Sequence, residues 1–469
     1  MGEQAKKIRF VDTTLRDGQQ SLIATRMTMD EMRPILEDMD KSGFHAVEVW
    51  GGATFDVTMR YLKEDPWERL RAFRKVFQNT QLQMLFRGQN MLGYKCYPDD
   101  IVEEFIKKAA GNGIDVFRMF DALNDLRNLE SSVRAVKKAK KHVQLAISYT
   151  LSDVHTEDYY RDLVKRMADM GADSICIKDM AGLLLPGAAY TLVKDIKAIC
   201  GLPVELHSHY TSGLAAMSYL KAAEAGVDII DTAMSPFAMG TSQPATEVMN
   251  ASLESLGYET GLDGEALLRV ATYLKPMRDA AIDSGLLSPK VLSADLSTLV
   301  YQVPGGMLSN LVSQMKAQNA EHKFNEVLEE IPRVRADLGY PPLVTPSSQI
   351  VGTQAVMNVL LGERYKVVPN ETKDFVRGMY GQTPGEISEE IRKKIIGDEK
   401  PIDVAPAKLL KPGLKDAAIK VKAYKEQEED VLSYALFPQV AEDFFKFRQA
   451  QQYGADPKYA DKENQVYPV

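Results

Sequence analysis

Two of the six histidines in this 469-residue chain stand one residue apart, His207 and His209, in the stretch PVELHSHYTSG that runs from Pro203. Val204 and Leu206 before them read as a short strand, in which residues two apart project to the same side. Two neutral imidazoles leaving a strand end together, with no apolar neighbours to pack them, suit a divalent metal ion. An exposed strand end that happens to carry two histidines is the plain alternative. Lys178 closes the apolar run Ile175-Cys176-Ile177. An ammonium repels a dication, so a lysine beside a metal site has three explanations. It is a Schiff-base amine whose proton affinity its surroundings lower, a counter-ion to Asp12 or Asp17, or an amine carboxylated by CO2 into an anionic oxygen ligand. Residue physics alone leaves all three open.

Such side chains need elements to hold them, and one unit returns along the chain. A helix-like segment ends at glycine and a short step leads into an apolar strand, at Gly43, Gly113, Gly171 and Gly226. Glycine supplies the left-handed residue that stops a helix, and the apolar run after it reads as a buried parallel strand. The helices between are amphipathic, as in Ile101, Phe105 and Ile106, or Leu163, Val164 and Met167. Counting every such strand gives 8–11, 46–50, 83–86, 116–120, 144–149, 174–177, 204–206 and 229–232. Eight alternations over about 240 residues predict an α/β fold, a closed (β/α)8 TIM barrel. An open doubly wound sheet would want a GxGxxG phosphate loop after an early strand, and none occurs. In a barrel the chemistry sits where strands end, and those positions hold Arg16, Asp17, Glu48, Arg87, Arg118, Lys178, His207 and His209. Asp121, Asp179 and Asp231 fall there too, and read as N-caps or salt bridges at the barrel mouth.

Beyond about residue 286 the alternation stops. Residues 1–290 form the expected barrel domain. Residues 291–469 read as a second, mostly helical domain broken at Pro304-Gly305-Gly306, Pro332, Pro341-Pro342, Pro346, Pro384 and Pro401. Apolar positions such as Leu308, Leu311 and Val312 are too frequent for a disordered tail, and only the polar stretch 451–469 is expected to be loosely ordered. A net charge of −8 argues against a dedicated nucleic-acid surface. The first apolar stretch, 8–11, is too short for a signal-peptide core or a membrane span. Cys96, Cys176 and Cys200 have no tight spacing and fit a reduced compartment. The expected location is the cytoplasm, with membrane association only through partner subunits.

Longer motifs narrow the reading. DTTLRDGQQSLIATR (12–26), EVWGGATFD (48–56), FRGQNMLGY (86–94), IKDMAG (177–182) and HSH (207–209) together resemble the biotin-dependent carboxyltransferases. So do QVPGGMLSN (302–310), VTPSSQIVG (344–352) and EDVLSYALFPQ (429–439), so the resemblance spans nearly the whole chain. That family includes the carboxyltransferase domain of pyruvate carboxylase, the oxaloacetate decarboxylase alpha subunit and the pyruvate-binding subunit of transcarboxylase. The resemblance implies a zinc, manganese or cobalt ion held by Asp17, His207, His209 and a CO2-derived carbamate on Lys178. It implies a keto acid bound by Arg87 and Gln20, with Tyr94 and Arg16 nearby, and a proton relayed between keto acid and biotin by Thr345. The implied reaction moves a carboxyl group between carboxybiotin and pyruvate or oxaloacetate through a metal-stabilised enolate. Thr345 can serve only if the helical domain bends back over the barrel mouth.

Two positions depart from the family pattern. Gly18 and Gln19 stand where many pyruvate carboxylases have alanine and histidine, and Tyr210 follows His209 where a small or acidic residue is more usual. Both are expected to bear on substrate preference. Neither an AMKM-like biotinylation sequence nor an ATP-grasp carboxylase region occurs, so the biotin is expected on another polypeptide, a biotin carboxyl carrier protein or domain. Biotin carboxylase, sodium-pump or acyl-CoA carboxyltransferase subunits are the further partners implied, and the chain is expected to form a homodimer. Two rival readings share the barrel: an acyl-CoA-dependent aldol synthase or lyase, and a non-catalytic carrier-docking subunit. The first has no need of Lys178 or the TPSSQ loop, and the second no need of an intact set Asp17, Lys178, His207, His209 and Thr345.

Overall fold

In the computed structural model, eight parallel strands close a barrel in sequence order. They are β1 (Arg9–Asp12), β2 (Ala46–Trp50), β3 (Gln81–Phe86), β4 (Val116–Phe120), β5 (His142–Ser148), β6 (Ser174–Asp179), β7 (Val204–Ser208) and β8 (Ile229–Thr232). β8 pairs with β1 to complete the ring. Residues 6–304 and 319–453 are described by the structure, together with 307, 311, 315 and 316. All eight expected strands are present. β6 and β7 run further than the apolar pattern suggested, so that Lys178 and His207 lie paired inside the sheet. Gly226 follows the helix Ala215–Ala225 at φ 96°, the left-handed stop its sequence position implied.

Barrel interiors are usually filled by layers of branched aliphatic side chains. Here the layer beneath the histidines is ionic. Arg118 points inward from β4 and meets Asp231 of β8 and Glu205 of β7, while its Nε donates to Gln144 Oε1 of β5 at 2.6 Å. The side chains of Arg118, Glu205 and Asp231 are at most 1% exposed. Burial works against a charged arginine, but Asp231 and Glu205 hold Arg118 well above its ordinary value. Burial pushes Glu205 well above the usual carboxylate range, whereas Arg118 keeps Asp231 well below it against the same burial.

Two apolar cores lie above and around this sheet. The larger joins the barrel to three C-terminal helices, Leu414–Lys420, Asp430–Leu436 and Pro438–Tyr453. At its centre Trp50, Phe55, Trp67 and Phe105 pack ring against ring, and Phe437 stacks on Phe55 with centroids 6.0 Å apart. Trp67 Nε1 donates to Ser433 Oγ at 3.0 Å, and Arg448 reaches back to Asp65 at 3.2 Å. The smaller core belongs to residues between Val303 and Ile396, with Leu123 its one contribution from the β4 loop.

The expected break at Pro332 does not occur: the helix Phe324–Asp337 runs straight through it. Proline removes one N–H from the ladder, but Val327, Ile331 and Val334 are fully buried on one face, and that packing outweighs the lost bond. Gly305-Gly306, Leu308 and Val312 lie outside the described residues, as do 454–469 of the polar terminal stretch. Residues 451–453 continue the last helix. Among the described residues no helix is long and apolar enough to cross a membrane.

Candidate active site

His207 lies in β7 and His209 one residue past its end, with ring centroids 5.1 Å apart. His209 Nδ1 is 2.6 Å from the Thr241 carbonyl, which can only accept, so that nitrogen carries the hydrogen. His207 Nδ1 lies 2.6 Å from Asp231 Oδ2 in the same sense. Both Nε2 lone pairs are thus left facing Asp17 Oδ2, at 3.3 and 3.5 Å. The three donor atoms lie within 4.8 Å of one another, and two imidazole nitrogens with one carboxylate oxygen suit a borderline divalent ion. Lys178 Nζ completes the cluster, 3.0 Å from His207 Nε2.

Burial sets the protonation of this cluster. It would raise Asp17, but the Arg16 guanidinium beside it holds that carboxyl well below its ordinary range. Burial lowers His207, which keeps the imidazole neutral, and lowers the Lys178 ammonium against the pull of Asp17. Arg16 stands behind Asp17, its Nε 2.6 Å from Glu48 Oε1 and its Nη2 3.1 Å from Asp17 Oδ2.

A cavity of about 710 Å3 opens above the cluster. Asp17, Gln20, Arg87, Tyr94 and His209 line it from the barrel, and Thr345 lines it from the helical segment above. Arg16, Lys178 and His207 are buried beneath its floor. Arg87 follows β3, and its Nη1 donates to the carbonyls of Leu92 and Gly93 at 3.0 and 3.1 Å. Gly52 permits this, because a Cβ there would sit 2.6 Å from the Leu92 carbonyl and 2.9 Å from Arg87 Nη1. Burial lowers Arg87, and among the described residues no carboxylate pairs with it. Its guanidinium carbon lies 5.5 Å from the centroid of the half-exposed Tyr94 ring. A fixed arginine without an acid, on the wall of a cavity beside a metal-type triad, has the chemistry to take an anion.

Residues 7–274 match the HMGL-like family and residues 298–467 the conserved carboxylase domain. The chain is 48% identical to the methylmalonyl-CoA carboxyltransferase 5S subunit of Propionibacterium freudenreichii subsp. shermanii, covering 95% of this chain and 88% of that one. The carboxyl transferase domain of Rhizobium etli pyruvate carboxylase, solved with pyruvate and biocytin, superimposes with a TM-score of 0.90 at 35% identity over 97% of this chain and 79% of that one. A pyruvate carboxylase subunit from Methanocaldococcus jannaschii is 57% identical over 94% of this chain and 78% of its own length. The chain belongs to the biotin-dependent carboxyltransferases.

In this carboxyltransferase the three aspartates read as structural have separate duties. Asp121 accepts the backbone N–H groups of Leu123 and Asp125, and Asp179 those of Leu183 and Leu184, as turn and cap residues do. Asp231 forms its salt bridge to Arg118, yet it also fixes the His207 ring. Gln243 escaped the sequence reading. Its Nε2 donates to Asp17 Oδ2 at 3.2 Å, and its Oε1 accepts from Thr13 Oγ1 at 2.9 Å. A lone glutamine in a loop after β8 carries no periodicity that could have marked it.

Proposed function

We propose that this carboxyltransferase moves a carboxyl group between biotin on a separate carrier protein and the pyruvate–oxaloacetate pair. The observation that carries the reading is a single cavity lined by Asp17 and His209 of the triad, by the acid-free Arg87 and by Thr345, with His207 buried just beneath. Arg87 takes the substrate carboxylate through its planar fork, with Gln20 and Tyr94 beside it. Asp17, His207, His209 and a carbamate on Lys178 would hold zinc, manganese or cobalt. When bound, that ion supplies Lewis acidity at the substrate carbonyl oxygen, where charge gathers as a methyl proton leaves.

The carbamate draws support from the burial of Lys178, which lowers its ammonium. A neutral amine bonds to the carbon of CO2, loses one proton and becomes an anionic oxygen donor. Arg16 holds Asp17 and Glu48 in register. Thr345 takes the methyl hydrogen and delivers it to the biotin ureido nitrogen as the N–carboxyl bond breaks, and the freed carboxyl bonds to the methyl carbon. A threonine hydroxyl is a poor base in water, but it relays protons where the cover excludes water. The two directions share one transition state, so the partner that loads or drains the carrier sets the flux.

Arg87→Lys keeps the charge and loses the fork, so pyruvate binding weakens by roughly 1–3 kcal/mol. Calorimetric titration with pyruvate checks this, and an unchanged affinity moves the carboxylate site elsewhere. Asp231→Asn leaves His207 in place with a weaker orienting partner. Competition against a chelator is expected to show metal affinity down by about 10–100-fold, and retention equal to wild type would reduce Asp231 to a barrel salt bridge.

A further inference from the structure

Arg335 is a buried cation to which the reaction assigns no part. It is 5% exposed, near the end of the helix Phe324–Asp337. Every hydrogen bond it makes among the described residues goes to a neutral oxygen. Nε donates to the Pro341 carbonyl at 2.8 Å, Nη1 to the Leu151 carbonyl at 3.0 Å and to Gln302 Oε1, and Nη2 to Thr150 Oγ1 at 2.9 Å. Burial lowers it only to about 10, so it stays charged at neutral pH. A buried charge without a counter-ion is costly, and what a planar fork offers in return is simultaneous reach.

The segments it reaches are the β5 loop of the barrel, the chain entering the second core, and the foot of the Thr345 loop. Both ends of that bridge are stiff. On the barrel side the Tyr160 hydroxyl accepts from Thr150 N at 2.9 Å and donates to Thr150 O at 2.6 Å. On the other side Pro341 and Pro342 fix two φ angles. Val344 N then donates to the Pro342 carbonyl at 3.0 Å, and Ser347 Oγ donates to the carbonyls of Pro342 and Val344.

We infer that Arg335 is a positioning residue for the proton relay, setting the place of Thr345 over the barrel mouth by tying Pro341 to Thr150 and Leu151. The inference rests on the reading of Thr345 as the relay. Arg335 belongs neither to the cavity wall nor to the metal-type cluster.

A fold staple and a positioning residue differ in what happens once the relay is gone. The assay is oxaloacetate decarboxylation with free biotin as acceptor, with metal content and thermal unfolding measured on the same samples. Arg335→Lys keeps the charge but cannot span all four acceptors. It is expected to lower kcat by about tenfold or more, with KM changed by less than about twofold and metal content unaltered. In a Thr345→Ala background the same change is expected to remove less than about twofold more. Thr150→Val, nearly isosteric, withdraws one acceptor and serves if Arg335→Lys fails to fold; its expected loss in kcat is about threefold or more, again absent without Thr345. Equal losses with and without Thr345, KM rising in step with falling kcat, or full kcat in a folded Arg335→Lys protein each overturn the inference. A fully active Thr345→Ala protein overturns the relay reading first and this inference with it. An inactive Thr345→Ala beside an active Arg335→Lys overturns the positioning role alone.

Discussion

Thr345→Ala lowers biotin-stimulated oxaloacetate decarboxylation by about two orders of magnitude or more, while the fold and the metal content stay as they are. Thr345 lines the cavity from above and is absent from the metal-type cluster, so only the step that needs its hydroxyl is touched. Pyruvate binding is expected to change by less than about 1 kcal/mol, because Arg87 and Gln20 lie on the barrel side. Thr345→Ser, which keeps a hydroxyl on the same backbone, should recover much of the rate. If Thr345 only orders its loop, binding weakens along with rate and serine restores little. Full activity in a folded Thr345→Ala protein would take the second core out of the chemistry altogether.

Wild-type protein is expected to carry about one transition-metal ion per chain, and His207→Ala and His209→Ala are each expected to empty that site. Loss of a Lewis acid worth several kcal/mol at the transition state corresponds to a rate lower by about a thousandfold or more. Elemental analysis of the purified variants, set beside the same decarboxylation assay, reads both quantities. Active wild-type protein without any bound metal would sink the assignment of Asp17, His207 and His209 together. Fold loss is a lesser concern for His209, whose ring stands past the strand end and lines the cavity.

The barrel was legible because its signal is local. Each parallel strand buried on both faces must be an apolar run, so hydrophobicity marked all eight, and at four of them the glycine that stops the preceding helix added a second mark. Pro332 misled for the same reason: a local rule was applied where apolar packing in the second core outweighs one missing hydrogen bond. The histidine pair was visible as a strand-end spacing, whereas Lys178, Arg87 and Thr345 gained meaning only through the longer motifs. Chains of second contacts were not legible at all. That Arg118 crosses the barrel interior to Asp231, or that Gln243 turns back to Asp17, depends on registers between strands far apart in sequence. The return of Phe437 and Ser433 to the Trp67 cluster is likewise a tertiary event with no periodicity to announce it.

The three C-terminal helices that share the barrel's apolar core make the second core a guest enclosed by its host. Its chain leaves the barrel near Val303 and must rejoin it by Leu414, so both of its ends are pinned to one rigid frame. A flap on one hinge swings; a flap pinned at two points can only rock about the line between them, which limits how far Thr345 can travel from the mouth. The pinning also acts on the guest when it is unfolded. With the host intact, its loosened chain is a closed loop with fewer conformations than a free one, and the entropy gained by melting is smaller. The frame thus stabilises its guest through the chain's two attachments as well as through contacts such as Leu123 and Arg335.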